Sequence, residues 1–265
     1  MKTYHIEMTL RGLRRRKVSN ICAALALLVA PCLNAAVIVT PTVSGYIRGS
    51  DTGSAGSFAL TTMLLGDTGS TGGSSRFINE LMRFNLSAIV IPQGMTITSV
   101  SLTLTAIATD ATSQNRSVDF QLYQDLRPFT TGASWNTYTS SISWQTKGGT
   151  GSLDRSSTLL SSININPSVV TIGQTFTLDS STAFTSLVTS LAGTANTLDL
   201  WYGLSTSDND GNRHVMNLAS GLNATAALRP TLSISYAVPE PGTVYLGLAG
   251  GGILLLIRRR GLRRF

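Results

Sequence analysis

Between residues 36 and 237, apolar and polar side chains alternate with a period of two over several short stretches. Val100, Leu102, Leu104 and Ala106 are interleaved with Ser101, Thr103 and Thr105, and Val118, Phe120 and Leu122 with Asp119 and Gln121. Met82, Phe84 and Leu86 keep the same period, as do Leu198, Leu200, Tyr202 and Leu204, and then Leu232, Ile234 and Tyr236. Period two turns one side of a strand to a core and the other to water, the pattern of antiparallel sheets. Clusters of Gly, Ser, Asp and Asn at 51–56, 66–75, 147–154 and 205–212 predict turns between such strands. One segment departs from the period. Phe184, Leu187, Val188 and Leu191 are spaced i, i+3, i+4, i+7, with Ser181 in front as a cap and Gly193 behind. That spacing predicts a short amphipathic helix lying over the strands or plugging one end of them.

The expected architecture is therefore all-β: one antiparallel β-sandwich (jelly roll) domain over residues 37–237, with one short helix. No repeat or linker divides it. Between residues 36 and 237 stand 62 Ser and Thr in 202 positions, which suits strands whose outer face is wet without being charged. Of all 265 residues, 42% are hydrophobic and 12% charged, and the formal net charge is +7. The excess of positive charge sits at the two ends. The stretch from 36 to 237 carries nine Lys/Arg against eleven Asp/Glu, a net −2, without the clustered cations that a phosphate backbone requires. Nucleic acid is not an expected partner.

Each end reads as an address. Residues 1–36 place Arg11, Arg14, Arg15, Arg16 and Lys17 before the apolar run 21–30 and the small residues Ala35 and Ala36. This is the order of a secretory signal peptide, a helix removed by signal peptidase; a retained anchor is the alternative, and Met8 an alternative start. Both cysteines, Cys22 and Cys32, lie in this leader, so the exported product would hold no thiol. Lipidation at Cys32 is the other reading of that residue, and Pro31 fits it poorly. At the other end, Val238, Pro239, Glu240 and Pro241 precede a Gly-rich apolar stretch at 242–257, followed by Arg258, Arg259, Arg260, Arg263 and Arg264. The prolines enforce an extended segment. The apolar stretch is long enough to enter a bilayer as a transmembrane helix, and the arginines remain cytoplasmic. The tail over 238–265 resembles the PEP-CTERM sorting signal of exosortase-processed proteins. The resemblance implies transient membrane insertion, processing by exosortase near Pro239-Glu240-Pro241, and delivery to the envelope, cell surface or matrix of a Gram-negative bacterium.

A second resemblance runs through the middle. Arg83-Phe84-Asn85-Leu86-Ser87, Ile91-Pro92, the stretch 97–104, Ala133-Ser134-Trp135-Asn136 with Trp144, and Arg229-Pro230-Thr231-Leu232 resemble, in order, elements of DNRLRE domains. Asn85 stands where that family has an acid. The resemblance implies a non-catalytic jelly roll of secreted bacterial proteins, related to carbohydrate-binding modules, and a structural role for Trp135 and Trp144.

Candidate chemistry is sparse. His214 is the one histidine after the leader, which leaves no paired-His metal site, and no Gly-x-Ser-x-Gly elbow accompanies it. Beside an Asp/Asn-rich turn it reads as a surface or strand-end residue, and no catalytic residue or cofactor is expected. The segment from Asp208 to Asn212 offers hard oxygen ligands, with Asp208 and Asp210 as candidates for a structural calcium ion, although such clusters are usually turns. Trp135, Trp144 and Trp201 are the candidates for ligand binding. By parity Trp201 faces away from Leu198 and Tyr202, either to stack on a sugar or, the favoured reading, to be covered by the helix. An acidic polysaccharide would need cations, and Arg48, Arg76, Arg83, Arg116, Lys147 and Arg155 are few. The expectation is a surface or matrix protein that binds exopolysaccharide without turnover. A purely structural surface protein and, behind it, a polysaccharide-degrading enzyme are the alternatives.

Overall fold

Two neighbouring strands bury both of their faces, and this organises the domain. In the computed structural model, which describes residues 34–237 apart from 51–52, 70–76, 88, 92–94, 193, 195–196 and 209, twelve strands and one helix follow one another. They are β1 (Asn34–Val39), β2 (Val43–Ser50), β3 (Gly53–Ser57), β4 (Thr62–Thr68), β5 (Phe77–Asn85), β6 (Thr96–Ala108), β7 (Val118–Asp125), β8 (Arg155–Ile165), β9 (Thr175–Leu178), α1 (Thr182–Leu191), β10 (Thr197–Leu204), β11 (Arg213–Ala219) and β12 (Thr231–Ala237). The sheet runs β1-β12-β6-β11-β4-β5-β10-β7-β8, with β2 and β3 branching from β5 and β9 from β6. The pairings of β5 with β2, β4 and β10, of β7 with β8 and β10, and of β6 with β9 and β11 are antiparallel. Ala35–Tyr236 form one compact unit.

Strand β6, with 13 residues, serves three partners, β12, β9 and β11. Its Leu102–Thr105 stretch pairs with β9, and beyond it Ala106 and Ala108 pair with β11 across a register shift at Asn217 and Leu218. The inward row of each alternating strand meets in a main core: Val100, Leu102 and Leu104; Phe120 and Leu122; Leu198, Leu200 and Tyr202; Leu232 and Ile234. Helix α1 joins the same core through Phe184 and Val188, with Leu187 and Leu191 packed at its edge. Ser181 caps it as expected, its Oγ accepting from the Phe184 N–H at 3.0 Å.

Not every prediction of shape holds. The stretch at 51–56 was expected to be a turn, yet Gly53–Ser57 form β3, which hairpins onto β2 with Ser50 opposite Gly53. Strand β1 starts at Asn34 and so runs across the leader boundary placed at 36; a cut there leaves Val37 and Val39, the residues of β1 that pack against the main core. The signal helix expected within 1–36 and the apolar helix expected at 242–257 lie outside the described residues. Among the described residues no helix is long and apolar enough to cross a membrane.

One acid is sealed into the main core. Glu80 of β5 lies directly opposite Tyr202 on β10 and Tyr46 on β2, with no exposed surface. Among the described residues neither Glu80 oxygen nor the Tyr202 hydroxyl has a hydrogen-bond partner. Burial alone drives the Glu80 carboxyl well above the usual carboxylate range. Burial, and then the proximity of Glu80, does the same to the Tyr202 phenol.

Candidate functional site

The outer face of β5 and β10 carries a second apolar cluster. Leu81 is opposite Trp201, and Trp201 is opposite Tyr123 on β7, so one row crosses three strands. Ile47 from β2 and Phe58 beyond β3 extend it. The cover is the connection between β7 and β8, which sets Phe129, Ala133, Trp135 and Trp144 on this face. The three tryptophans, far apart in sequence, thus come together. Trp201 is buried at 2% exposure, but the connection covers it and not α1, which packs on the main core. The expectation of helix coverage is corrected on that point. The β7–β8 connection returns to the sheet and reaches this face, whereas α1 turns its apolar stripe to the opposite one.

A single buried carboxylate shapes the end of that connection. Asp154 accepts the backbone N–H groups of Gln145 (2.9 Å), Thr146 (2.8 Å) and Gly151 (3.2 Å), and its carbonyl takes the Leu126 N–H at 2.7 Å. Start and finish are thereby tied, with Arg127 Nε 3.5 Å from the same carboxylate. Farther out, the Trp144 Nε1–H donates to Ser134 O at 2.8 Å, and the ring packs against Tyr138 with centroids 5.5 Å apart.

Gly148 seats the loop on the tryptophan. Its carbonyl accepts from the Trp201 Nε1–H at 2.9 Å and from Asn79 Nδ2 at 3.0 Å. The residue has φ +82°, and a Cβ there would stand 2.6 Å from the Trp135 ring. Left-handed backbone and close approach both require glycine. Opposite, a Cβ on Gly203 would stand 2.3 Å from the Trp201 ring, so β10 also yields space to the indole.

Beside this contact lies a cleft of about 440 Å³, within the range of small-ligand sites. The almost wholly buried Trp135 and Trp201 and the half-buried Phe77 form its aromatic wall, Asn79, Thr146, Thr150, Ser205 and Thr206 its polar groups, and Lys147 and Arg155 its positive charge. No acid lines it. The Arg155 guanidinium stacks 4.0 Å from the Trp201 ring and 4.2 Å from that of Tyr123. Burial lowers its pKa, Tyr123 opposing the shift, but an arginine keeps its charge throughout the physiological range. Trp144 does not reach the cleft; it packs behind Trp135 and Gly149.

Next along the face, Arg83 and Asp199 form a two-pronged pair, 2.6 Å on each side, with Arg83 4.7 Å over the Phe129 ring. Burial raises the Asp199 carboxyl and Arg83 opposes it. The bidentate geometry favours the charged form of both partners against that burial. Asp125 is buried, one of its oxygens has no partner among the described residues, and burial pushes its carboxyl well above the usual range.

Asp208 and Asp210 come together on Arg116, at 2.9 and 2.5 Å. The second Asp208 oxygen accepts the Asp119 N–H at 2.7 Å, and Asp210 also meets the Asn212 N–H and His214 Nε2. Partial burial works to raise Asp210, but these hydrogen bonds outweigh it and leave the carboxyl far below its ordinary value. His214, expected at the surface or a strand end, is the second residue of β11 and fully buried. Among the described residues no group of three His, Cys, Asp or Glu is arranged to hold a metal ion.

Val238, Pro239, Glu240, Pro241 and the arginines at 258–260 and 263–264 lie outside the described residues, and comparison with known proteins addresses them instead. Residues 237–264 match the PEP-CTERM protein-sorting motif. The motif marks the chain as an exosortase-sorted protein, exported to the cell surface or envelope. None of the curated proteins matches the chain.

Sequence reasoning missed Asn79, Gly148 and the stacked Arg155 as parts of one place. The Gly148-Gly149 pair reads locally as a turn, and nothing within the segment tells that a distant indole sits beneath it.

Proposed function

We propose that this exosortase-sorted protein works by adhesion, its β domain holding exopolysaccharide in the cleft over Trp135 and Trp201 without chemical turnover. The domain is a DNRLRE-like sandwich of the jelly-roll kind, related to carbohydrate-binding modules, on the surface or in the matrix of a Gram-negative cell. Signal peptidase and exosortase process its ends, the 242–257 segment holds it at the membrane in transit, and neither nucleic acid nor cofactor takes part. The observation that carries the reading is the composition of the cleft: aromatic surface beside hydroxyl, amide and cationic groups is what a sugar ring with one apolar face and a polar rim requires.

None of the described residues lining the cleft is a carboxylate, whereas glycoside cleavage uses a pair of them, and this supports binding without hydrolysis. The test is a glycan array with the full-length protein in mild detergent, run beside an assay for released reducing ends. Retention of specific glycans with no release supports adhesion. Release of product overturns it, and failure to retain any glycan leaves a purely structural surface protein.

A further inference from the structure

We infer that the cleft contains an anion subsite, in which Arg155 and Lys147 receive the carboxylate, sulfate or phosphate substituent of a sugar. The inference rests on the exopolysaccharide reading and narrows its ligand. By sequence the cations looked too few for such a ligand. What decides the matter is how they are spent. Arg83 is held by Asp199, Arg116 by Asp208 and Asp210, Arg127 by Asp154, and Arg213 by Asp110. Among the described residues Arg155 and Lys147 have no carboxylate partner, and both line the cleft, to which no described acid contributes. Arg48 and Arg229 also lack a carboxylate among the described residues but do not line the cleft. A stretch of net charge −2 thus brings two uncompensated cations, Arg155 and Lys147, to one spot.

The geometry also selects the kind of contact. With Tyr123 and Trp201 stacked on the Arg155 guanidinium, its N–H edge is what remains for a ligand. A guanidinium edge matches a two-oxygen anion, and stacking fixes its orientation before binding. Lys147 is exposed, lines the same cleft and stands just before the Gly148 turn, where its ammonium gives the anion a second charge-assisted contact. Thr146, Thr150, Ser205 and Thr206 are left to meet the sugar hydroxyls.

The experiment uses the full-length protein with dextran beside carboxymethyl-dextran, dextran sulfate and phosphorylated dextran, and polygalacturonate beside its methyl ester. The expected result is a preference for charged polymers that falls with added salt and weakens about tenfold in Lys147→Gln, as the loss of one charge-assisted contact implies. Arg155→Gln is expected to remove the preference, and the order among carboxymethyl, sulfate and phosphate forms identifies the anion. Should Arg155→Gln fail to fold, the salt titration and Lys147→Gln still decide. Equal binding of neutral and charged polymers, unmoved by salt or Lys147→Gln, overturns the anion subsite while leaving glycan binding intact. If no polymer, charged or neutral, is retained, both readings fall.

Discussion

Trp201 and Gly148, 53 positions apart, are joined by a 2.9 Å hydrogen bond from the indole Nε1–H to the glycine carbonyl. It locks a loop to a central strand and forms one wall of the cleft. Trp201→Phe removes the donor and some buried volume, and is expected to lower stability by about 2 kcal/mol. Gly148→Ala, which forces a side chain into φ +82° and against Trp135, is expected to cost about 1–3 kcal/mol. Urea midpoints measure both. Midpoints equal to wild type for both variants would show that the loop is not seated on the indole.

Asp154 organises the end of the β7–β8 connection by accepting three backbone N–H groups. Asp154→Ala strands those donors and is expected to cost about 3 kcal/mol. In amide exchange, Gln145, Thr146 and Gly151 should lose protection before β10 does. Uniform loss across the domain would mean that the loop is not a separate unit.

The buried acids give stability a pH dependence of definite sign. Glu80 and Asp125 titrate higher in the folded chain than the ordinary ~4 of an unfolded carboxyl, so the folded state holds their protons where the unfolded state has lost them. Stability from these two groups falls as pH rises from ~4 through their folded values. Asp110 and Asp210 act oppositely: burial opposes ionisation at each, but hydrogen bonds, from Arg213 and Thr112 and from Asn212, Arg116 and His214, hold them low. Their contribution is present above ~4 and lost as pH falls through their folded values. The stability maximum is therefore expected on the acidic side of neutral. Glu80→Gln should raise the urea midpoint at pH 7 and flatten the decline above pH 5. A wild-type midpoint that climbs steadily from pH 5 to 8 would contradict this.

Replacing Pro239, Glu240 and Pro241 together by alanine is expected to abolish the processed, surface-located form and to retain the uncut chain in the membrane fraction. Fractionation and mass determination of the C-terminus follow it. Unchanged processing would show that the match over 237–264 does not act as the signal.

The sequence alone determined the class of fold and the fate of the chain. Alternation at Val100–Ala106, Val118–Leu122 and Leu198–Leu204 specified which residues face the main core, because a strand has two sides and a mixed pattern leaves one choice. The Ser181 cap and the 184–191 spacing specified the helix by equally local rules, and the tail from Val238 onward is a linear signal readable without folding. Tertiary structure decided everything that depends on which distant segments meet. Parity told that Trp201 turns away from the main core, but the connection bearing Trp135 and Gly148, not the helix, covers it. The burial of His214 and Glu80 was hidden for the same reason, since exposure belongs to the strands laid beside a residue and not to its neighbours in sequence. Charge behaves likewise: composition counts cations, and only the structure shows that Arg83, Arg116, Arg127 and Arg213 pair with acids while, among the described residues, Arg155 and Lys147 line the cleft without a carboxylate.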